Sequence, residues 1–265
     1  MKTIAAAVLL SSLCALAGPP PVEEVSPNGK TSIMETPMMC PTKSKRAREV
    51  YNQGKDAEEA GQLPEAIKLF ESAVKADPKY CDAMDNLGLS LRRTGKIDEA
   101  IGWYRKSIAI LPKNGTSRMN LAAALRMKKA YAESAVEYQA LIDLIPDDPE
   151  GYYGLATVKF DLNKDQEAVV PRLEAEKLYL KINSPYAPDA QRMLGGAYYR
   201  LEQWPDAVKY LTLAVEATPV DPKMNLMLGT ALVKNKKAAA AKPYLMKAKG
   251  LGAPVPPDIA TAAGL

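Results

Sequence analysis

Two stretches of the chain, LGLSLRRTGKIDEAIGWYRKSIAILP from Leu87 and LAAALRMKKAYAESAVEYQALIDLIP from Leu121, superpose without a gap at an offset of 34 residues. The string GKDAEEAGQLPEAIKLFESAVKADP, from Gly54, falls in the same register one period earlier. LGGAYYRLEQWPDAVKYLTLAVEATP from Leu194 and LGTALVKNKKAAAAKPYLMKAKGLG from Leu228 continue the series. Repeat starts fall at 47, 81, 115, 149, 188 and 222, at intervals of 34, 34, 34, 39 and 34. A period in the thirties marks stacked supersecondary units, none of which buries its apolar face alone.

Each period holds two helices. In the second repeat Met84, Leu87 and Leu91, then Ile101, Tyr104 and Ile108, recur at three-, four- and seven-residue spacings, one face of a helix each. Between the two runs lies Arg93-Thr94-Gly95-Lys96, a polar break whose glycine ends the first helix. Pro112 closes the second. Small residues recur where the helices of a pair must approach: Gly54, Gly88, Ala122, Ala156, Gly195 and Gly229 on the first helices, and Ala66, Ala100, Ser134, Ala168, Ala207 and Ala241 on the second. A larger side chain at either place pushes the pair apart.

This pattern resembles the tetratricopeptide repeat family. The residues that carry it are the Leu-Gly or Leu-Ala pairs at 87–88, 121–122, 155–156, 194–195 and 228–229, and the bulky Phe70, Tyr104, Tyr138, Leu211 and Leu245. Ala73, Ser107, Ala214 and Ala248 follow, and Pro78, Pro112, Pro146 and Pro219 close the units. The resemblance covers residues 47–252 and implies an all-α, right-handed α-solenoid of about six helix pairs. Repeat one departs from the pattern with Gln53 and Ala57 in apolar places, as suits a terminal unit. Repeat four departs further. Arg172 holds the bulky apolar place, Pro171 stands within the second helix, in the first turn where proline is tolerated, and five extra residues precede repeat five. Lys181 to Tyr186 is expected to form a wider loop, and residues 253–265 a C-terminal tail.

The resemblance also implies that the first helices line a concave surface. By register that surface presents Tyr51 and Lys55 from repeat one, and Asp85, Leu89, Arg92 and Arg93 from repeat two. Met119, Asn120 and Arg126 come from repeat three, Tyr153, Thr157 and Phe160 from repeat four, and Arg192, Tyr199 and Arg200 from repeat five. Arginine interleaved with aromatics and methionine is the composition of protein-interface hot spots and suits a peptide with apolar anchors and a few carboxylates. In the competing reading the arginines are solvated helix ends and the aromatics pack between repeats. Chaperone adaptors of the family grip a C-terminal carboxylate with a fixed set of Lys, Asn and Arg side chains. Here Asn86 matches one place, but Tyr51, Lys55, Thr116 and Asn120 stand where other members of that set are needed, so that clamp is absent.

Composition narrows function further. The chain has 265 residues, a formal charge of +4 and no histidine. The commonest general base and metal ligand are therefore missing, and no phosphate-binding glycine loop or metal-ligand cluster is visible. The acids Asp98, Glu99, Asp147, Asp148 and Glu150 sit at helix starts, where the dipole favours them. No enzyme, cofactor or metal is expected. The balanced charge gives no footprint for nucleic acid, and no apolar run beyond the N-terminus is long enough to span a membrane.

Residues 1–17 read as a bacterial-style secretory signal. Lys2 precedes a mostly apolar stretch from Thr3 to Leu16, and Ala15-Leu16-Ala17 is a cleavage site of the A-x-A kind. Acylation at Cys14 is the lesser alternative, since Leu13 stands where a lipoprotein signal wants a small residue. Residues 18–46 are proline-rich with no helical or strand period, an extended leader. Periplasmic or secreted location follows. Cys40 and Cys81 then remain, and six residues link Cys40 to repeat one, enough chain to reach the start of the neighbouring first helix. A disulfide pinning the leader as an N-terminal cap is expected; two unrelated thiols are the alternative. The leading functional expectation is a non-enzymatic adaptor of the bacterial envelope, holding an exported protein or peptide for assembly of a secretion, pilus or outer-membrane system. The alternative is a self-assembling scaffold stacked end to end. A polar last repeat, here Lys234, Asn235, Lys236, Lys237 and Lys247, favours the capped monomer.

Overall fold

The structure is a computed structural model that describes residues 40–265; the expected signal and most of the leader lie outside the described residues. Among these residues there are thirteen helices and no strand. They are α1 (Lys45–Glu59), α2 (Leu63–Ala76), α3 (Cys81–Arg93), α4 (Ile97–Ile110), α5 (Gly115–Met127), α6 (Tyr131–Leu144), α7 (Pro149–Asp161), α8 (Asp165–Lys181), α9 (Ala187–Arg200), α10 (Trp204–Ala217), α11 (Pro222–Lys234), α12 (Ala238–Gly250) and α13 (Pro257–Ala262). Helices α1 and α2, α3 and α4, α7 and α8, α9 and α10, and α11 and α12 pack as pairs, as an all-α helical-repeat fold requires. The chain divides into two compact units, one ending at Ala124 and the other running from Leu125 to Leu265.

The turn inside every pair uses one device. Gly61, Gly95, Lys129, Asn163, Glu202 and Lys236 occupy the same place in the six repeats, and all have positive φ, between 56° and 84°. A left-handed residue stops the first helix and sends the chain back along it. Only two of the six are glycine, so the other turns carry a steric cost that glycine avoids. Close packing of the pairs explains the small residues. A Cβ on Gly54 would lie 2.7 Å from Phe70 Cε1, and one on Gly88 would lie 2.5 Å from Tyr104 Cε1. Both rings are fully buried. In the second unit Leu211 lies over Gly195 and Leu245 over Gly229 in the same way.

In the first unit α1–α4 pack in chain order around Ala47, Ala73, Val74, Tyr80, Ala83 and Met84. Its N-terminal edge is tied down. Cys40 and Cys81 form a disulfide, with Cα atoms 5.3 Å apart. The Cys40 N–H donates to Asp82 Oδ1 at 3.3 Å, the Thr42 hydroxyl donates to Asp77, and Arg48 donates to the Thr42 carbonyl at 2.8 Å. Helix α1 opens at Lys45, where the Ser44 side chain accepts from the Ala47 N–H. The last two residues assigned to the extended leader, 45 and 46, are therefore helical.

In the second unit each helix from α6 to α12 packs on the next, around a core that includes Leu194, Tyr198, Leu211, Val215, Leu228 and Leu245. Repeat four corrects the expectation of a wide loop. Helix α8 runs 17 residues against 14 in α6 and α10, so part of the insertion is a helical extension, followed by a short connection through Asn183 at φ 50°. Pro171 lies inside α8 and Pro243 inside α12, beyond the first turn rather than in it. The C-terminal tail is also structured. Helix α13 folds back on α11, burying Ile259 in the core, and Lys242 donates to the Gly264 carbonyl at 2.8 Å. An apolar contact thus helps close the last pair, beside the lysines.

Candidate functional site

The register places expected to line a groove fall on α1, α3 and α5 in the first unit and on α7 and α9 in the second, with Arg126 near the end of α5. In the first unit several are committed to the protein itself. Tyr51 packs on Phe70 and Tyr80, ring centroids 5.7 and 5.0 Å away, and its hydroxyl accepts from Asn86 Nδ2 at 2.9 Å. Burial pushes its pKa well above the usual tyrosine range. Asp85 is 6% exposed. Its carboxylate accepts from Asn114 Nδ2 at 2.8 Å and from the Ser117 hydroxyl, whose oxygen lies within hydrogen-bonding distance of Ser107 Oγ at 2.8 Å. Burial raises the Asp85 pKa to about 6, against those hydrogen bonds. Asn120 is buried and accepts from Arg92 Nη2 at 3.4 Å. Tyr51, Asp85 and Asn120 are thus packing or internal hydrogen-bonding residues, not free groove positions: a polar group facing a neighbouring repeat finds partners there before solvent.

The charged candidates that the first unit leaves accessible are Lys55, Arg92 and Arg93. Lys55 and Arg93 share the buried Glu58, at 3.7 and 3.2 Å, and Arg92 is half-buried beside them in sequence. Leu89 and Met119 are half-buried.

The second unit brings its candidates together on one face. Tyr153, Thr157 and Phe160 are spaced by four and three residues and share one side of α7. The Tyr153 hydroxyl donates toward Met193 Sδ on α9 at 3.6 Å. The guanidinium of Arg172, from α8, lies 3.9 Å from the centroid of Tyr153 and 5.5 Å from that of Phe160. Its Nη2 donates to Thr157 Oγ1 at 2.8 Å, and the Thr157 hydroxyl donates to the Tyr153 carbonyl. Arg200, from α9, lies 5.6 Å from the same Phe160 ring and is ion-paired with Asp165. Phe160 is therefore flanked by two guanidinium groups. Arg126 pairs with Asp161 at 2.6 Å, and Arg192 with Asp189 of its own helix at 2.9 Å. Tyr199 packs edge-on against Trp204, centroids 5.7 Å apart.

Arg172 is the residue that sequence reasoning noticed without placing at the site. Its signal was the departure from the bulky apolar series. The acidic partners Glu58, Asp161 and Asp165 were missed as well. Two carry a legible signal, since Glu58 and Asp161 lie 35 residues from Arg93 and Arg126, one more than the period; Asp165 and Arg200 straddle the longer 39-residue interval and do not share it. Among the described residues no group of Cys, Asp and Glu is arranged to hold a metal ion, and no helix is long and apolar enough to cross a membrane.

The comparisons with known proteins fit this architecture. No curated protein matches the chain in sequence. Among solved structures, that of Pseudomonas aeruginosa pilF is similar at TM-score 0.65 and 18% identity, over 78% of this chain and 92% of that one. YrrB, described as a TPR protein with an unusual peptide-binding site, is similar at TM-score 0.61 and 16% identity, over 74% and 97%. The APC/C hetero-tetramer Cut9-Hcn1 is similar at TM-score 0.59 and 18% identity, over 83% of this chain but only 42% of that one. At such identities the likeness is one of fold. The tetratricopeptide repeat profile matches residues 51–115, 173–222 and 192–256, together more than half of the sequence, and the chain belongs to the tetratricopeptide repeat family.

Proposed function

We propose that this chain is a protein–protein interaction adaptor that holds an extended segment of a partner against the first helices of its repeats. The observation that carries this reading is the α7–α9 face, where half-buried Tyr153 and Phe160 stand among the arginines 172 and 200. Aromatic rings and guanidinium groups held rigidly by packing are the side chains that dominate binding energy at interfaces. The peptide-binding site for which YrrB is described is a property of that protein and supports the reading by fold alone.

The partner, in this proposal, is an exported protein, and the setting is the bacterial envelope, in assembly of a secretion, pilus or outer-membrane system. The Cys40–Cys81 bridge supports export, because oxidising compartments preserve such bonds and the cytosol does not. Residues 1–17 then serve as the secretory signal, and the intact mass of the exported chain is expected to begin at Gly18; acylation at Cys14 would add lipid mass instead.

A photo-crosslinking amino acid at position 160, with a control at Val136, tests the binding face. Adducts with a partner segment from position 160 and none from 136 are expected. Adducts from 136 alone would move the site off this face.

A further inference from the structure

Arg172 is fully buried, yet its Nε–H and both Nη1 hydrogens have no acceptor. Only Nη2 is engaged, by Thr157. The nearby carboxylates are occupied elsewhere: Glu150 accepts from the Tyr179 hydroxyl at 2.7 Å, Asp189 from Arg192, Asp165 from Arg200, and Glu176 from Gln191 at 2.9 Å and Tyr210 at 3.2 Å. No ion pair reaches Arg172 among the described residues. The place it fills holds Phe70, Tyr104, Tyr138, Leu211 or Leu245 in the other repeats. An apolar residue would satisfy the packing without the cost of desolvating a guanidinium. Burial pulls the arginine pKa down for the same reason.

We infer that Arg172 is an anion seat in the α7–α9 face, and that it takes a carboxylate of the bound partner segment. The Tyr153 ring covers the guanidinium, its centroid 3.9 Å from Cζ, and forms its lid. The ring also packs edge-on against Tyr179, centroids 6.1 Å apart, and on the cluster of Ala175, Ala187 and Ala190, while its hydroxyl makes a weak bond to Met193. A rotation of Tyr153 would open the guanidinium, whose Cζ lies 5.5 Å from the Phe160 centroid, to a segment on that face. An arriving carboxylate supplies the acceptors that the Nε–H and Nη1 groups lack, and brings its charge nearer than Glu150 and Asp189, whose pull on Arg172 stops short of an ion pair; a buried charge-assisted hydrogen bond is among the strong ones. Phe160 and Arg200 then flank the next part of the segment. The inference rests on the reading of α7–α9 as a peptide-binding face and names the chemistry that face selects.

The test follows the Nε–Hε NMR signal of Arg172 in the full chain, assigned by its loss in Arg172→Leu. The probes are N-acetylglutamate α-amide for a side-chain carboxylate, N-acetylalanine for a terminal one, and N-acetylglutamine amide as the uncharged control. A saturable downfield shift with one or both acids and none with the amide is expected, and the tighter acid identifies the source. A signal that moves with none of the three, or with all alike, overturns the seat. Arg172→Leu restores the residue type of the register, so it is expected to fold and to melt higher than the parent. With a segment captured at position 160, replacing its carboxylate by the amide should weaken binding to the parent chain by at least ~10-fold and leave binding to Arg172→Leu unchanged. Equal discrimination by both chains overturns the seat while the binding face stands. Failure to capture any segment at 160 overturns the binding face, and the Nε–Hε titration still decides the seat.

Discussion

Arg93 reaches back 35 residues to Glu58, Nη1 to Oε1, at 3.2 Å. The two belong to the first helices of successive repeats, and Lys55 approaches the same carboxylate at 3.7 Å. Glu58 is buried whereas Arg93 is more than a third exposed, so the arginine rehydrates when the pair is broken and the carboxylate does not.

Removing Glu58 should therefore be modest in cost. Glu58→Ala is expected to lower the stability of the first unit by about 1 kcal/mol, and Arg93→Ala by a similar or smaller amount because Lys55 remains. The double variant should lose less than the sum of the singles, with the shortfall shrinking at roughly 1 M salt. Urea unfolding of the four chains checks this; strict additivity would mean the pair is not coupled.

The left-handed turns offer a stabilising change. Lys129, Glu202 and Lys236 adopt φ of 63°, 56° and 58° where Gly61 and Gly95 serve in other repeats. Glu202→Gly and Lys236→Gly should each raise stability by about 0.5–1 kcal/mol, because relief of the αL strain outweighs the added freedom of the unfolded chain. Gly95→Ala should lower it by about 1 kcal/mol. Thermal melts of the single variants decide the sign.

The fold was legible because six copies of one pattern reinforce each other, and the Gly95 turn and the Gly88–Tyr104 contact follow from a single repeat. The last helix was not. Between Pro257 and Ala262 only Ile259 is a large apolar residue, too little to show a period. Asp85 and Asn120 were placed by helix register alone, which assigns a face but not what covers it; Asn114 and Ser117 come from the loop and helix that follow and claim Asp85 first. Arg172 was visible as an irregularity. That it spans to Thr157 and stacks on Tyr153 depends on how α8 leans on α7, which no spacing reveals.

Asp85 should make the first unit more stable in mild acid. Its folded-state pKa of about 6 lies above the ordinary 3.8, so the folded chain holds the proton more tightly than the unfolded one. The resulting contribution is complete below about pH 4 and is lost as pH rises through about 6, a swing on the order of 3 kcal/mol at this buried site. Asp85→Asn removes the ionisation. Relative to the parent it should therefore gain roughly 2 kcal/mol between about pH 4.5 and pH 7. Denaturant unfolding at the two pH values measures that difference; a gap independent of pH would show that Asp85 titrates normally.

The Cys40–Cys81 bridge closes a loop that contains all of α1 and α2, with a sequence separation of 41. In the chain-entropy model a loop of that length restricts the unfolded state by about 4 kcal/mol. Cleaving it also leaves the segment from Cys40 to Ser44 held by few and partly exposed hydrogen bonds, among them those from Thr42 to Asp77 and from Arg48 to the Thr42 carbonyl. Cys40→Ser is therefore expected to destabilise the first unit by several kcal/mol and to speed amide exchange in α1 before α3. The effect should be much smaller in the second unit, whose core begins beyond Leu125. Exchange followed by mass spectrometry, on oxidised, reduced and Cys40→Ser chains, makes the comparison. Reduced and Cys40→Ser chains should match each other; protection of α1 equal in all three would mean that packing of Tyr51 and Phe70, rather than the bridge, holds the first pair in place.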